Sequence, residues 1–434
     1  MPRTETYILN MGPQHPSTHG VLRVELELDG ESIVRVKPIM GYLHRGIEKL
    51  LESRTYTQGV PFTDRLDYVS SMNNNLGYCR AVEELAGIEV PARGEYLRVI
   101  MAELNRMASH LVFIGSLAID LGASTGMLYT FRDREDILDL FDLVCGARMT
   151  FHYIRIGGVH HDIPSEFIPK CRVFLDKVPQ FMKEYEDILI GNEIFQRRLM
   201  GTSRLTAEEA LAHNMTGPNL RAAGVPFDLR KVDGYGAYPK FDFDVPTGQN
   251  GDNWDRFLVR YQEIAESAKI VRQALEGLPE GPVMAQLPKL LRPPKGEVYS
   301  RTEGTRGELG FYMVSDGTPK PYRVHIRRPS FINMQALNDM CRGYLIGDSV
   351  AAFAAIDPLM GLMPGIKAFV AAVFGGIGSL PGAVFGGIVL GIVEAFISGL
   401  GLSMFRDAAA FAILILVLLL RPAGIFGKNV KEKV

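Results

Sequence analysis

The chain has 434 residues, 47% of them hydrophobic and 22% charged, which is enough to bury a sizeable core and excludes a globally disordered or collagen-like chain. Its 47 basic and 49 acidic residues give a net charge of −2, so the chain carries no electrostatic footprint for nucleic acid. The balance is uneven: residues 1–358 carry a net −5, whereas residues 359–434 hold nine charges, six of them basic.

Residues 1–10 contain no apolar run of the kind a secretory signal needs, so the body is expected in the cytoplasm. Residues 12–20 contain two prolines and two glycines and read as a loop carrying His15 and His19. A spacing of four would suit metal chelation on a helix, but Pro16 between them removes that geometry. Polar contact to a ligand and a loop that merely caps the next strand both stay open. Leu22, Val24, Leu26 and Leu28 alternate with charged residues, Asp29-Gly30 is a turn signal, and residues 33–37 return, so a β-hairpin is expected.

From about residue 42 to 213 the reading is mainly helical. The clearest helix spans 95–118, with Leu97, Ile100, Met101, Leu104, Met107, Leu111, Ile114 and Ala118 at three- and four-residue steps. Glu95, Arg98, Glu103 and Arg106 fall mostly off that stripe. Further helices are expected at 133–145, 254–278 and 333–345, strands at 309–315 and 322–327, and a linker or surface crossing over 278–296. The four cysteines, Cys79, Cys145, Cys171 and Cys341, make no CxxC pair. They read as scattered core thiols rather than ligands of a zinc site or an iron–sulfur cluster. Asp64-Arg65-Leu66-Asp67-Tyr68 packs two acids, a base and a phenol together; on composition it reads as a solvated helix start. Asp120 closes an apolar helix and reads either as a terminal residue facing water or as a carboxylate that orients a histidine.

The end changes character. Residues 368–393 carry no charge, are rich in glycine and exceed the roughly 20 residues a bilayer core needs; Gly378/Gly382, Gly382/Gly386 and Gly387/Gly391 are spacings that permit close helix contact in lipid. Residues 408–420 form a shorter apolar run. A membrane-inserted tail is expected, with a buried soluble helical pair as the competing reading.

Several stretches together resemble the D-subunit family of the proton-pumping NADH-quinone oxidoreductases (respiratory complex I): MGPQHPSTHGVLR (11–23), GYLHRGIEKL (41–50), RTYTQGVPFTDRLDYVSSM (54–72), RVIMAELNRMASHLV (98–112), YIRIGGVHHDIP (153–164), TGPNLRAAGVPFDLRK (216–231), RGELGFYMVSDG (306–317) and RRPSFINMQAL (327–337). The resemblance covers about residues 5–358. It implies an α+β, mainly helical body similar to the large subunit of nickel–iron hydrogenases, with three parts: an N-terminal loop and hairpin (1–40), the helical body (41–358) and a hydrophobic tail (359–434). The tail in turn resembles the end of a branched-chain amino-acid ABC transporter permease, in MPGIKAFVAAVFGGIGSLPGAVFGG and ILILVLLLRPAGIFG.

What the resemblance implies is a quinone-binding core subunit on the cytoplasmic side of the inner membrane. The implied partners are subunits B, C, I and H of the complex: B bears the terminal cluster and completes the head-group pocket, and H belongs to the membrane arm. Electrons would arrive indirectly from the NADH-input module. Residue by residue, His19 and Tyr68 match the groups that bond the quinone, Asp120 matches the carboxylate behind that histidine, and Arg65 and Arg45 match basic residues near the partner's cluster. The substrate would be ubiquinone or menaquinone, with NAD used elsewhere in the complex and no metal or cluster bound by this chain. The hydrogenase cysteine pairs are absent around 54–61 and at Asp357-Pro358, which argues against a hydrogenase-like catalytic subunit. A permease fragment of this length cannot form a transport path alone, so the alternative reading is a fusion, native or introduced when the gene was assembled.

Overall fold

Alternation builds the first sheet. The computed structural model describes residues 6–12, 22–356, 387–389 and 391–393. Strand β2 (Arg23–Asp29) buries Val24, Leu26 and Leu28 and pairs antiparallel with β3 (Ser32–Ile39) across the Asp29-Gly30 turn, as the period-two pattern requires. An additional strand, β1 (Tyr7–Met11), pairs with the other edge of β2, so the expected hairpin is part of a three-stranded sheet. The sheet does not stand alone. Its apolar face shares a cluster with Leu205, Met215, Leu220, Leu337, Met340 and Phe353, and the Ile33 N–H donates to the Tyr344 carbonyl at 2.9 Å.

Helices α1 (Ile47–Ser53), α2 (Tyr56–Thr63) and α3 (Ser71–Ala86) lead to α4 (Ala92–Asp120) and α5 (Ser124–Cys145). After the short strands β4 (Ile154–Arg155) and β5 (Gly158–Val159) come α6 (Phe167–Tyr185), the short helices α7 (Glu193–Leu199), α8 (Ala207–Ala212), α9 (Pro218–Ala222) and α10 (Leu229–Val232), and then α11 (Asn253–Glu276). The antiparallel sheet β6 (Gly296–Gly304), β7 (Gly307–Ser315), β8 (Arg323–Arg327) follows, then α12 (Pro329–Asn333), α13 (Leu337–Cys341) and α14 (Ile346–Ile356). Helix α4 lies between α5 and α11, and α3 rests on β6 and β7. The expected helix over 333–345 is instead broken, because a 3₁₀ turn at Met334–Ala336 precedes α13 and Gly343 then takes φ +84.

Helix α4 differs from an amphipathic surface helix. Its off-stripe side chains Arg98, Glu103 and Arg106 are fully buried. They meet an internal ionic lattice rather than water. Glu103 accepts from Tyr238 Oη at 2.6 Å, Ser267 Oγ at 2.7 Å, Arg230 Nη1 at 3.0 Å and Arg106 Nε at 3.2 Å. Arg230 is clamped in turn by Asp228, and Arg221 bridges Glu263 and Glu303. Four donors on one buried carboxylate offset its desolvation and hold it below the usual carboxylate range.

His110 sits on this lattice, with Nε2 2.7 Å from Glu263 Oε2. Burial outweighs that neighbour and pulls the imidazole down to about 4, so at neutral pH His110 is an uncharged donor to Glu263. The unfolded chain gains a proton here below its ordinary value of about 6.5, while the folded chain resists until about 4. Stability therefore falls as pH drops through that window, by at most about 3 kcal/mol, and levels off below it. His110→Gln keeps an N–H for Glu263 but removes the titration. Its thermal midpoint is expected to fall less than that of the unsubstituted chain between pH 6.5 and 4, measured side by side.

A backbone crossing joins sheet and lattice. Gly307, at φ +131, opens β7 where the chain passes Thr216; a Cβ there would lie 2.8 Å from the Thr216 carbonyl carbon. Gly281, at φ +133, has open space around it. Gly307→Ala is expected to cost more than about 3 kcal/mol through clash plus strain, and Gly281→Ala about 1–2 kcal/mol through strain alone. Thermal unfolding of the two variants checks the difference.

Candidate functional site

Of the expected site residues, Arg65 and Tyr68 lie on the turn between α2 and α3, Asp120 at the end of α4, and Arg45 between β3 and α1. Helix α2 opens with a capping box, the Thr55 hydroxyl accepting the Gln58 N–H and the Gln58 side chain accepting the Thr55 N–H. It closes at Asp64, so the five-residue stretch 64–68 ends a helix and does not begin one. The first turn of α3 then ties the stretch down. Ser71 Oγ donates to the carbonyls of Asp64 (2.8 Å) and Tyr68 (3.2 Å), and Asn74 Nδ2 donates to that of Asp67 (3.0 Å). From α4, Asn105 accepts the Met72 N–H at 3.0 Å and donates to the Val69 carbonyl at 3.2 Å.

This places Tyr68 half-buried on a rigid turn. Its neighbour Asp67 meets Arg306 Nη1 at 3.0 Å. Arg306 comes from the β6–β7 turn. Its Nη1 also donates to Thr305 Oγ1 and Ser109 Oγ, while Nε and Nη2 are buried without a hydrogen-bond partner. Asp120 is the last residue of α4, half-buried, with Oδ2 shielded from solvent. Fifteen residues separate Asn105 from Asp120, about 22 Å of helix axis, so the anchor of the Tyr68 turn and Asp120 occupy different stretches of α4. His19 lies outside the described residues, as does His15.

Arg45 and Arg65 come together. Both are exposed, the Arg45 guanidinium donates to the Arg65 carbonyl, and Arg65 Nη1 donates to Pro61 O at 2.6 Å. Tyr42 and Leu43, beside Arg45, are 50% and 64% exposed. That makes an apolar and cationic loop.

Sequence reasoning missed Asp64, which is fully buried although its composition suggested solvent. Its Oδ1 accepts the backbone N–H of His152 at 3.4 Å, and His152 adopts φ +48, a strained left-handed conformation for a histidine. Burial pushes the Asp64 carboxyl up to about 6 and pulls the His152 imidazole down. Beneath them Arg98 and Glu83 form a buried clamp, with Glu83 Oε1 accepting the Gly157 N–H at 2.6 Å and Arg98 donating to the carbonyls of Arg155 (2.7 Å) and Gly158 (3.1 Å). No pattern in the sequence marks Asp64; only the packing of α3, α5 and the 150–155 segment around it does. Among the described residues, no group of three or more His, Cys, Asp or Glu is placed to hold a metal ion.

Comparison with known proteins gives a consistent result. Residues 120–295 and 289–363 match the family described as respiratory-chain NADH dehydrogenase, 49 kDa subunit. The D subunit of the NADH-quinone oxidoreductase of Clostridium beijerinckii is 56% identical over 358 residues, covering 82% of this chain and 97% of the relative. The proteins of the same name from Desulforamulus reducens and Carboxydothermus hydrogenoformans are each 54% identical, over 83% of this chain and 98% and 99% of theirs. The mainly helical α+β body behind an N-terminal sheet fits that family, and the chain belongs to it: the 49 kDa, or D-subunit, family of the respiratory NADH-quinone oxidoreductases.

Proposed function

We propose that this chain supplies one wall of a quinone head-group pocket, with Tyr68 and His19 bonding the quinone and Asp120 standing behind His19. The observation that carries the reading is the half-buried Tyr68 on a turn whose backbone is held from α3 and α4, by Ser71 at the Tyr68 carbonyl and Asn105 at the Val69 carbonyl. Reducing a quinone by two electrons leaves oxygens that take up two protons. A phenol of pKa about 10 and an imidazole of about 6.5 can each donate to a developing oxyanion. A carboxylate behind the imidazole fixes its tautomer and strengthens it as a base. On this reading the charge change on His19 and Asp120 is the event that the membrane arm converts into proton translocation.

The exposed loop of Tyr42, Leu43 and Arg45, with Arg65 bonded to it, is the surface that meets the cluster-bearing B subunit; the C, I and H subunits are the other neighbours. The whole would sit at the cytoplasmic face of the inner membrane, with a hydrogenase-like body from 41 to 358. Ubiquinone and menaquinone both fit, and the NADH-input module acts at a distance.

Tyr68→Phe is expected to lower quinone turnover of the assembled complex by about 10²-fold, while electron entry to an artificial acceptor upstream is unchanged. Asp120→Asn should assemble normally and slow quinone turnover. Full turnover in either variant contradicts its assigned role.

A second reading concerns residues 359–434, which lie beyond a stretch as long as the alignment to the relatives. Among the described residues no helix is long and apolar enough to cross a membrane, and the two apolar runs at 368–393 and 408–420 lie almost wholly outside them. The proposal that they form a permease-like membrane anchor rests on their sequence. An intact mass of 48.1 kDa for the chain captured with other subunits of the complex is expected for a true fusion. A mass lower by about 8 kDa, taking roughly 110 Da per residue, would mean that the tail is absent from the assembled protein.

A further inference from the structure

Tyr68 stands at the corner of a tight turn. The Ser70 N–H donates to the Asp67 carbonyl at 2.9 Å, which puts Tyr68 and Val69 at the two central positions. The carbonyls of residues 67–69 are each held by a side chain. Asn74 Nδ2 holds that of Asp67, Ser71 Oγ that of Tyr68, and Asn105 Nδ2 that of Val69. Ser71 and Asn74 belong to α3, the helix that the turn leads into, so they move with it. Of the three, Asn105 alone comes from α4.

The same amide completes the start of α3. Ser70 is the N-cap residue, and a serine hydroxyl there ordinarily accepts the N–H of the second or third helical residue. Ser70 makes no such bond, and its Oγ is buried without a hydrogen-bond partner. The Met72 N–H donates instead to Asn105 Oδ1 at 3.0 Å. A backbone N–H only donates and a backbone carbonyl only accepts, so these two bonds fix which end of the amide is which. Asn105 is itself buried, on the stretch of α4 that Glu103 and Arg106 tie into the ionic lattice. One carboxamide of α4 thus bridges the end of the turn and the first turn of α3.

We propose that Asn105 is a positioning residue of the quinone site: it caps α3 from outside and sets the Tyr68 turn, and with it the phenol, against α4. The inference rests on the reading of Tyr68 as a quinone residue, since Asn105 acts through the backbone at Val69 and Met72. A group that donates to a developing oxyanion must be held within about 0.5 Å of its productive place. A turn released from α4 therefore loses rate before the chain loses its fold. A second tie, from Asn73 Nδ2 to the Ala102 carbonyl at 3.2 Å, keeps α3 on α4 when Asn105 is replaced.

The test is a double-substitution cycle in the assembled complex. Asn105→Ala is expected to lower quinone turnover about 10-fold, with electron entry to an artificial acceptor upstream unchanged. In the Tyr68→Phe background the same substitution should cause no further loss, because the hydroxyl it positions is already gone. Equal fold losses in the two backgrounds, or full turnover in Asn105→Ala, overturn the proposal. If Asn105→Ala does not assemble, Asn105→Asp takes its place. That carboxyl keeps an acceptor for Met72 and offers Val69 a donor only when protonated. Its turnover, as a ratio to that of the unsubstituted complex, must then rise as pH falls, and a ratio independent of pH overturns the proposal equally. Full turnover in Tyr68→Phe alone removes the quinone reading and this proposal with it, an outcome distinct from two real losses that multiply.

Discussion

The body is organised around one buried anion. Glu103 lies in the middle of α4 with no exposed surface and accepts hydrogen bonds from four groups on four separate segments: Arg106 on its own helix, Arg230 on α10, Tyr238 in a 3₁₀ turn and Ser267 on α11. An apolar contact tolerates sliding by a fraction of an ångström, but a four-donor carboxylate does not. Each donor satisfied here would become an unpaired polar group in any shifted packing, at about 1–3 kcal/mol each. The lattice therefore selects one arrangement of α4, α10 and α11 more sharply than the surrounding leucines and methionines can. The ring extends through Arg230 to Asp228, and the second arc, Arg221 with Glu263 and Glu303, locks β6 to the same frame.

That rigidity matters at the rim. The candidate site is built from the ends and edges of the elements the lattice fixes: Tyr68 on a turn bonded to α4 at Asn105, Asp120 at the end of α4, and Arg306 on the turn between β6 and β7. Within the lattice Glu103, Arg230, Asp228, Arg221, Glu263 and Glu303 answer one another. Arg306, Asp64 and Asn75 are also buried, and there the answers run short: Arg306 leaves two nitrogens and Asp64 and Asn75 each an oxygen without a hydrogen-bond partner. Unsatisfied buried groups are tolerable where a stiff scaffold prevents collapse around them.

Much of the helical frame was legible because apolar periodicity dictates it. The helix expected at 95–118 is observed at Ala92–Asp120, and that expected at 254–278 at Asn253–Glu276. The failures have physical causes. Strand β1 is exposed over most of its length, so it shows no alternation to read. Strand β6 buries Glu303 in the ionic lattice and Ser300 and Thr302 at the alternate positions, so no apolar alternation marks it. The same cause hid the nature of α4: charged residues in a sequence suggest water, yet here they face one another. Of the candidate site, Arg45, Arg65 and Tyr68 stand in long motifs, but the stretch 64–68 was expected to start a helix and instead ends one. Asp64 was not legible, since nothing local distinguishes a carboxylate that ends a helix in solvent from one sealed in by α3, α5 and the chain at His152.

The body also secures its own last helix. Arg260, fully buried over the Phe113 ring, donates to Ala355 O at 2.7 Å and to Asn219 Oδ1 at 3.1 Å. The Ala355 carbonyl belongs to the last described turn of α14. A guanidinium from α11 supplies its donor, with no ion pair to a carboxylate among the described residues; burial and the neighbouring Arg306, Arg256 and Arg221 charges outweigh Glu263 and pull Arg260 down to about 9. Holding a cation under such strain is costly, and the cost is justified structurally because the bond pins α14 to α4 and α11 at once. The helical frame is thereby closed by groups that lie within it, and the Tyr68 turn, the α4 terminus and the Asp64 carboxyl are positioned by contacts internal to that frame.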